Sequence, residues 1–213
     1  MGRIVVFGAG GRAGRAVTAE ARGRGMKVTA VVRDPERYRD LGADGVAVVR
    51  GDVTDPGLVR AAAGGHVAAV HAVSPFSGPE QGFDSLDPDF FVKAADALLG
   101  GLAGAGVRRL VAVGLFANLL GADSRPVMDD PVAFPAEIRP FALAHTAGLT
   151  RLREEDGGLE QSAPRTGRYR LGGERVPDGR AVLSYTDLAV AVLDEIEAPT
   201  RHRTRVSVIG EVT

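Results

Sequence analysis

The sequence predicts an α/β protein of one domain, residues 1–213, built on a doubly wound parallel sheet with helices on both faces. Three observations lead to this fold class. Short β-branched apolar runs alternate with helical segments through the first half of the chain. The first of these runs passes directly into a cluster of glycines and then into a helix. The 213 residues, 45% hydrophobic and 25% charged, are enough to bury one sizeable core.

The predicted elements follow one another as βαβαβ and then αβ, with right-handed crossovers. Strands are expected at residues 4–7, 27–32, 47–49, 67–73 and 109–113, and helices at 13–21, 58–63, 87–103, 141–155 and 184–197. Residues with capping side chains or a starting proline mark three of the helix starts. The candidates are Thr54 or Asp55 for the second helix, Asp87 with Pro88 for the third, and Ser184 or Thr186 for the last.

Glycines at positions 8, 11 and 14 stand between the first strand and the first helix. In such a unit, one glycine makes the turn, one lets the backbone approach a pyrophosphate, and one lets the helix pack against the strand. The helix N-terminus adds unpaired N–H groups and the positive end of a dipole. An ordinary glycine-rich turn is the alternative. We favour a dinucleotide site of the Rossmann type, formed by Gly8, Gly10, Gly11, Arg12, Ala13 and Gly14.

Composition excludes several classes of function. A net charge of -1 with interspersed signs gives no basic surface for nucleic acid or for an anionic membrane. No stretch reaches membrane-span length, and the first apolar run is too short for an export signal. Without cysteine there is neither a disulfide nor a thiolate, and four scattered histidines do not predict a metal site. We therefore expect a cytoplasmic enzyme with a small-molecule substrate, acting as a monomer or homodimer.

The second half of the chain is less regular. Residues 118–140 show no clear period and are expected to form a surface loop over the ligand edge, so that about 114–140 and 159–183 build the substrate side. Short strands are expected at 169–171, 181–183 and 205–209. Residues 157–164 offer no apolar run where a sixth strand belongs. Either that strand is deleted, or a segment is missing from the residue string and the chain is interrupted between 160 and 165; we favour the second explanation.

Six motifs carry a resemblance to a known family over nearly the whole chain. They are the Gly8, Gly11 and Gly14 spacing, VVRDPER at 31–37, GDVTD at 51–55, AVSP at 72–75, GRYRLG at 167–172 and SYTDLA at 184–189. Together they resemble the NmrA-like, NAD(P)H-binding branch of the atypical short-chain dehydrogenase/reductases. The order of elements is also similar to that of flavin reductases of the biliverdin reductase B type. This resemblance implies a Rossmann fold and a nicotinamide cofactor, but no particular reaction.

Charge at the end of the second strand favours NADP(H) over NAD(H). An acidic residue there binds the ribose 2′-OH of NAD, whereas a cationic residue accommodates the 2′-phosphate of NADP. The position is Arg33, with Arg37 a turn later and Arg12 in the glycine loop, and guanidinium groups bind phosphate in a fork geometry. The alternative is that Arg33 is merely solvated and Asp34 serves the ribose.

The family resemblance also assigns the remaining cofactor contacts. It places Asp52 and Val53 against the adenine, and it places a second group at the carboxyl edge of the later strands, where the ligand lies. That group is Val73, Ser74, Pro75, Val113 and Gly114.

The catalytic tyrosine and lysine of typical short-chain dehydrogenases are missing from this sequence. The residues four places after the three tyrosines are Gly42, Gly173 and Ala189, and no serine follows the fifth strand. Hydride transfer does not strictly need these groups, because the nicotinamide carries the chemistry. If any side chain acts as an acid, His145 is the best candidate, with a helix-surface or hydrogen-bonded histidine as the alternative. His71 lies in an apolar strand and is expected to be a hydrogen-bonded core residue.

These observations predict an NADP(H)-binding oxidoreductase that transfers hydride to a small aromatic, flavin or quinone-like acceptor. Two other functions fit the same residues. One is a non-redox NmrA-like sensor that binds the dinucleotide and reports it to a partner. The other is a biosynthetic isomerase, cyclase or coupling enzyme that keeps the cofactor fold.

Overall fold

Five parallel strands form the central sheet, in the order β3-β2-β1-β4-β5. The computed structural model describes residues 2–76, 85–154, 169–176, 183–202 and 204–210. The sheet strands are β1 (Arg3–Phe7), β2 (Lys27–Val32), β3 (Val46–Arg50), β4 (Ala68–His71) and β5 (Leu110–Ala112). The helices are α1 (Arg12–Gly23), α2 (Pro56–Ala63), α3 (Phe90–Ala105), α4 (Arg139–Glu154) and α5 (Tyr185–Glu197). The strand order reverses beside β1, as in a doubly wound sheet, so the predicted fold class is confirmed.

Alternate residues of β1 supply the cores on the two faces of the sheet. Ile4 and Val6 pack under α1 and α5, whereas Val5 and Phe7 pack under α2 and α3. None of these four side chains is more than 1% exposed. Burial of each stabilises the fold by roughly 1.5–3 kcal/mol, which explains why β1 reads as a continuous apolar run.

Helices α1 and α5 lie side by side on one face and are joined near their C-terminal ends. Arg24, just after α1, donates from Nη1 to Asp194 Oδ1 at 2.7 Å and to Glu197 Oε2 at 2.6 Å. Its Nε also donates to Glu20 at 2.8 Å, and the Arg24 side chain is only 20% exposed. This partly buried cluster fixes α5 relative to α1.

Two predicted helix caps are confirmed and one is wrong. Asp55 Oδ1 accepts the N–H groups of Gly57 and Leu58, and Ser184 Oγ accepts the N–H of Asp187. The predicted cap Asp87 lies too early, because α3 begins at Phe90. The Asp87 carboxylate instead accepts hydrogen bonds from the backbone of Asp89 and from Lys93 Nζ.

The segment 118–140 is not simply the surface loop that its composition predicts. It contains parts of three short 3-10 turns, and Asn118 is only 2% exposed. Ala117 and Met128 pack with Ala142 of α4 in a small third core. The prediction was wrong on this point because the apolar residues of the segment follow no regular period and their partners lie on a distant helix.

The C-terminal strands form a separate ribbon. Strand β6 (Tyr169–Leu171) pairs antiparallel with β7 (Val208–Gly210), so the predicted closing strand is shifted and lies outside the parallel sheet. Leu120, after β5, donates its N–H to Glu174 O and accepts from the N–H of Val176, both at 2.8 Å.

Several expectations for this half of the chain cannot be compared with the structure. The gap at 157–164, the chain interruption between 160 and 165 and most of the strand at 181–183 lie outside the described residues. Within the described ranges, no strand pairs with the outer edge of β5. The helices described in the structure include none with the length and apolar character needed to cross a membrane.

A methyl group at position 14 is expected to disrupt the contact between α1 and β1. A Cβ there would lie 2.1 Å from Gly8 O and 2.7 Å from Ala9 Cα, both backbone atoms. Gly14→Ala should therefore lower the free energy of unfolding by about 3 kcal/mol, measured by chemical denaturation. Gly100→Ala is the matched control, because a Cβ at that position in α3 meets nothing within 4 Å. The free energy of unfolding of this control variant should rise by roughly 0.5–1 kcal/mol, because alanine has a higher helix propensity than glycine. Equal stability of the two variants would contradict the tight packing at Gly14.

Candidate functional site

The first turn after β1 brings three strands together at the switch point of the sheet. Gly8 has φ +83°, and a Cβ on it would lie 2.6 Å from Ala72 O. Its N–H and that of Ala9 both donate to Val31 O, at 3.2 and 3.3 Å. Only glycine accommodates both the left-handed φ and the close approach of the β4 backbone. The turn is therefore fixed between β2 and β4, at the carboxyl edge of the sheet.

Gly10 and Gly11 serve different purposes in this loop. A Cβ on Gly10 would lie 2.4 Å from the Tyr38 ring, so this glycine lets that ring cover the loop. Gly11 has an ordinary φ of -77°, and its nearest neighbour would be Gly8 O at 3.5 Å. The space beside Gly11 is thus open, and the structure fits a ligand approaching the backbone there.

The start of α1 has no side-chain cap. Gly11 is its N-cap residue, and no side chain accepts a hydrogen bond from the first turn, in contrast to Asp55 on α2 and Ser184 on α5. Uncapped N–H groups at a helix N-terminus favour a bound anion. The glycine loop therefore presents both open space and unsatisfied donors to the same ligand.

One broad cleft runs along the carboxyl edge of the sheet and continues around the outer edge of β5, and it contains nearly all the sequence-predicted positions. Of the proposed cofactor residues, those that line it are Gly8, Gly10, Gly11, Arg12, Ala13, Arg33, Arg37, Asp52, Val53, Val73, Ser74, Pro75, Val113 and Gly114. The candidate acid His145 lines it as well. Gly14 lies below the cleft, buried against Gly8. In a sheet of this type the adenosine lies on the β2 and β3 side and the nicotinamide on the β4 and β5 side.

The β2 side of the cleft is cationic. Arg33 and Arg37 are exposed and line it, and no ion pair between described residues includes either one. Sequence reasoning missed Arg50, whose Nε donates to Arg33 O at 3.3 Å. The signal for it was the parallel register, in which Arg50 of β3 lies opposite Val32 of β2. Three guanidinium groups therefore lie near the end of β2.

The two acidic residues of this end shape their own turns. Asp34 Oδ1 accepts the N–H of Glu36 at 3.2 Å. Asp52 Oδ1 accepts from both the N–H and the hydroxyl of Thr54, at 2.9 and 2.7 Å. These hydrogen bonds from neutral groups hold Asp34 and Asp52 in their turns without removing the negative charge of either carboxylate.

Arg12 points away from this cationic end. We expected it to join Arg33 and Arg37, but its guanidinium lies over the ring of Tyr185, 5.2 Å from the centroid. Tyr185 begins α5, which contacts α1, β5 and β7. The expectation was wrong because the position in the sequence does not show to which side of α1 a long side chain turns.

Aromatic rings line the opposite end of the cleft. They belong to Phe76 after β4, Phe90 at the start of α3, Phe116 after β5 and Phe141 on α4. Together with His145, these four residues are called the aromatic wall below. Phe76 and Phe141 meet edge to face with centroids 5.0 Å apart, and Phe91 packs behind them 5.6 Å from Phe141. Sequence reasoning missed this cluster, because its members come from four separate segments.

His145 is a neutral imidazole in this environment. It lies in the middle of α4, 4.4 Å from the Phe91 ring centroid, and burial lowers its pKa to about 4. Its Nδ1 is buried and has no hydrogen-bond partner among the described residues. An imidazole with this pKa carries almost no proton to donate near neutral pH, so its expected role as a general acid needs correction.

His71 lies close behind His145, at the end of β4. It is 7% exposed, and burial followed by the neighbouring His145 lowers its pKa to about 4. Its Nδ1 also has no partner within the described ranges, so the predicted burial is confirmed but a hydrogen bond at that nitrogen is not found. Two adjacent neutral histidines therefore add no charge to this end of the cleft, where the charges near Phe90 are the paired Asp87 and Lys93.

The tyrosines and lysines lie away from the aromatic wall or are already engaged. Tyr169 donates its hydroxyl to Asp194 at 2.9 Å, and burial raises the pKa of this phenol above its usual value. Tyr38 covers Gly10, and Tyr185 contacts Arg12. Lys93 is paired with Asp87 at 2.7 Å. In the part of the chain that the structure describes, neither a tyrosine–lysine pair nor a group of three metal-ligating side chains is found.

The fold and this cleft together define a Rossmann-type dinucleotide-binding protein. A family model described as NAD(P)H-binding matches residues 8–199. The chain therefore belongs to this NAD(P)H-binding family. YwnB of Bacillus subtilis (strain 168), an uncharacterized protein, is 30% identical over 226 residues, which cover 98% of this chain and 99% of YwnB.

Solved structures share the same architecture. A protein from Bacteroides thetaiotaomicron, named as a candidate epimerase, is 29% identical with a TM-score of 0.80, covering 100% of this chain and 98% of that chain. A protein from Streptococcus pneumoniae TIGR4, named as a candidate NADH-flavin reductase, is 24% identical with a TM-score of 0.78, covering 99% of this chain and 100% of that chain. These similarities support the fold but do not define a reaction.

A branched side chain at Gly11 is expected to block the dinucleotide without unfolding the protein. The position has negative φ and open space, so Gly11→Val should fold but occupy the volume that the pyrophosphate needs. Quenching of NADPH fluorescence should fall below detection for this variant. Gly64→Val is the matched control, because Gly64 also has an extended backbone and meets nothing within 4 Å. Normal NADPH affinity in Gly11→Val would rule out this loop as the binding site.

Proposed function

We propose that the protein prefers NADP(H) to NAD(H) and transfers hydride to a flat aromatic acceptor such as a flavin or quinone. The observation that carries this proposal is the division of the cleft into a cationic end and an aromatic end whose histidines are neutral. The bound nicotinamide would supply the hydride. The chain itself would bind both partners, orient them and exclude water.

The residues present fit a dinucleotide with a 2′-phosphate. Open space at Gly11 and the uncapped start of α1 suit the pyrophosphate. Arg33 and Arg37 line the cleft at the end of β2, where the adenosine ribose would lie, and Arg50 adds a positive charge beside Arg33. Asp34 Oδ1 accepts the N–H of Glu36, which leaves Oδ2 as the oxygen that a ribose hydroxyl of NAD(H) would use instead.

The nicotinamide end suits an acceptor that needs no acid from the protein. Val73 and Val113, at the ends of β4 and β5, would place the nicotinamide next to the aromatic wall. Ring faces and edges stack favourably on a flat conjugated acceptor. A reduced flavin or quinone can take its proton from water, so the neutral state of His145 is compatible with turnover. We infer that His145 contacts the acceptor as a hydrogen-bonding side chain. The name of the Streptococcus pneumoniae neighbour points to the same class of acceptor for that protein.

A dinucleotide sensor without redox activity is the second candidate. It is favoured by one observation. The aromatic end holds two neutral histidines, and Lys93, the lysine near Phe90, is already paired with Asp87. Such a site can bind NADP(H) without any chemistry.

The decisive experiment is NADPH oxidation, followed by loss of NADPH absorbance after addition of FMN or a naphthoquinone. Binding is measured separately by quenching of NADPH fluorescence. Oxidation of NADPH would support the reductase, whereas binding without oxidation of NADPH by any acceptor would favour the sensor. The Gly11→Val variant, which should not bind NADPH, controls for oxidation outside the cleft.

Removal of the Arg33 guanidinium should change the choice of cofactor. Arg33→Ala should weaken the binding of NADPH by about 1–3 kcal/mol, which is the contribution of a charge-assisted contact. The binding of NADH should be weakened much less. The measurement is a fluorescence titration with each cofactor. Arg22→Ala, which removes an exposed positive charge from the last turn of α1, controls for net charge. Equal losses for NADPH and NADH in Arg33→Ala would show that Arg33 does not contact the 2′-phosphate.

His145→Ala should lower kcat for the acceptor while leaving NADPH affinity unchanged. Since the pKa of His145 is lowered to about 4, the side chain stays neutral at and above neutral pH, and kcat should not titrate with it there. The check is a pH profile of kcat for the original protein and the variant. A kcat that falls as pH rises from 6 to 8, and that loses this dependence in His145→Ala, would restore His145 as the acid.

A further inference from the structure

Helices α1 and α5 meet at the cleft through their first residues. Both are parallel neighbours that begin at the carboxyl edge of the sheet, and they are joined at their other ends by Arg24. At the cleft, Arg12 lies 5.2 Å over the centroid of Tyr185, whose ring is 44% exposed. Both side chains line the cleft beside the glycine loop. The two helices are therefore held together at both ends, and one contact lies at the ligand site.

Stacking on the ring leaves the hydrogen-bonding edge of Arg12 available. A guanidinium presents its donors in the plane, so a ring that covers its face does not use them. No ion pair between described residues includes Arg12. Arg15, one turn later, contrasts with it, because its Nη1 is paired with Asp40 at 2.5 Å and its Nε donates to Gly10 O at 3.1 Å. Of these two arginines, Arg12 is therefore the one whose N–H donors are available to bind an anion.

At the start of α5, it is the Tyr185 ring and not the helix dipole that acts on the ligand site. Ser184 Oγ accepts the N–H of Asp187, and the Asp187 carboxylate accepts from the Ser184 hydroxyl at 2.6 Å. A capped first turn with an acidic residue does not attract phosphate. The side chain of Tyr185 is consequently the part of α5 that acts on the site, through the arginine of the neighbouring helix.

We infer that Tyr185 is a positioning residue that holds the Arg12 guanidinium over the pyrophosphate of the bound dinucleotide. The inference rests on the proposed binding of NADP(H) in this cleft. It adds that different arginines contact different parts of the dinucleotide. Arg12 turns toward α5, away from β2, so it contacts the portion that NADH and NADPH share. Arg33, Arg37 and Arg50, at the end of β2, contact the 2′-phosphate that distinguishes them.

The test is a double-mutant cycle on Arg12 and Tyr185, read by fluorescence titration with NADPH and NADH. Tyr185→Leu should lower the affinity for both cofactors by about the same factor, on the order of tenfold. This is the loss expected when a cation–π contact and a charge-assisted hydrogen bond are removed. Tyr185→Phe keeps the ring and should retain the original affinity. In the Arg12→Ala background, Tyr185→Leu should have almost no further effect. ADP-ribose, which has the pyrophosphate but neither nicotinamide nor 2′-phosphate, should lose affinity by the same factor in a competition titration.

Each contrary result has a separate meaning. Unchanged affinity in Tyr185→Leu, or an equal effect with and without Arg12, would overturn the positioning role. A loss restricted to NADPH would show that Arg12 contacts the 2′-phosphate, which also overturns it. Equal losses of both cofactors in Arg33→Ala would contradict the proposed NADP preference but leave the Tyr185 result intact. An original protein that bound neither cofactor would overturn both proposals.

Discussion

Contact between backbones without intervening side chains is the constraint on which the site depends. Gly8 O lies where a Cβ of Gly14 would be, and Ala72 O lies where a Cβ of Gly8 would be. These contacts bring β1, β4 and α1 close enough for the helix to begin directly at the edge of the sheet. The position of the open space at Gly11, the direction of the α1 N-terminus and the distance between Arg12 and α5 all follow from that approach.

Electrostatic character changes along the cleft in the way that a nicotinamide dinucleotide requires. Arginine guanidinium groups lie at the end of the cleft where the phosphates would bind, and uncharged aromatic rings line the end where hydride would be transferred. The low polarity of the second end is visible in His71 and His145, whose pKa values burial lowers to about 4. A neutral, apolar compartment favours stacking of conjugated rings and excludes competing proton donors.

Much of the sheet and the cofactor end could be predicted because their signals are local. The apolar run before Gly8, the cap at Asp55 and the basic residue after β2 are each determined within a few residues of sequence. The aromatic wall could not be found this way, since Phe76, Phe116 and Phe141 come to the same cleft only through tertiary packing. The direction of Arg12 depends on a helix more than a hundred residues further along the chain. The buried turns after Asn118 could not be predicted for the same reason, because the element they pack against is α4.

His71 and His145 also link the stability of the fold to acidity. Their ordinary pKa is 6.5, and in the folded protein it is lowered to about 4. Well above pH 6.5 these rings are unprotonated in both the folded and the unfolded chain, so the full stability is present. As pH falls from 6.5 toward 4, the unfolded chain takes up protons that the folded chain excludes, and the equilibrium shifts toward unfolding. The end of the cleft that holds these two neutral histidines is thus also a place where the fold is sensitive to mild acid.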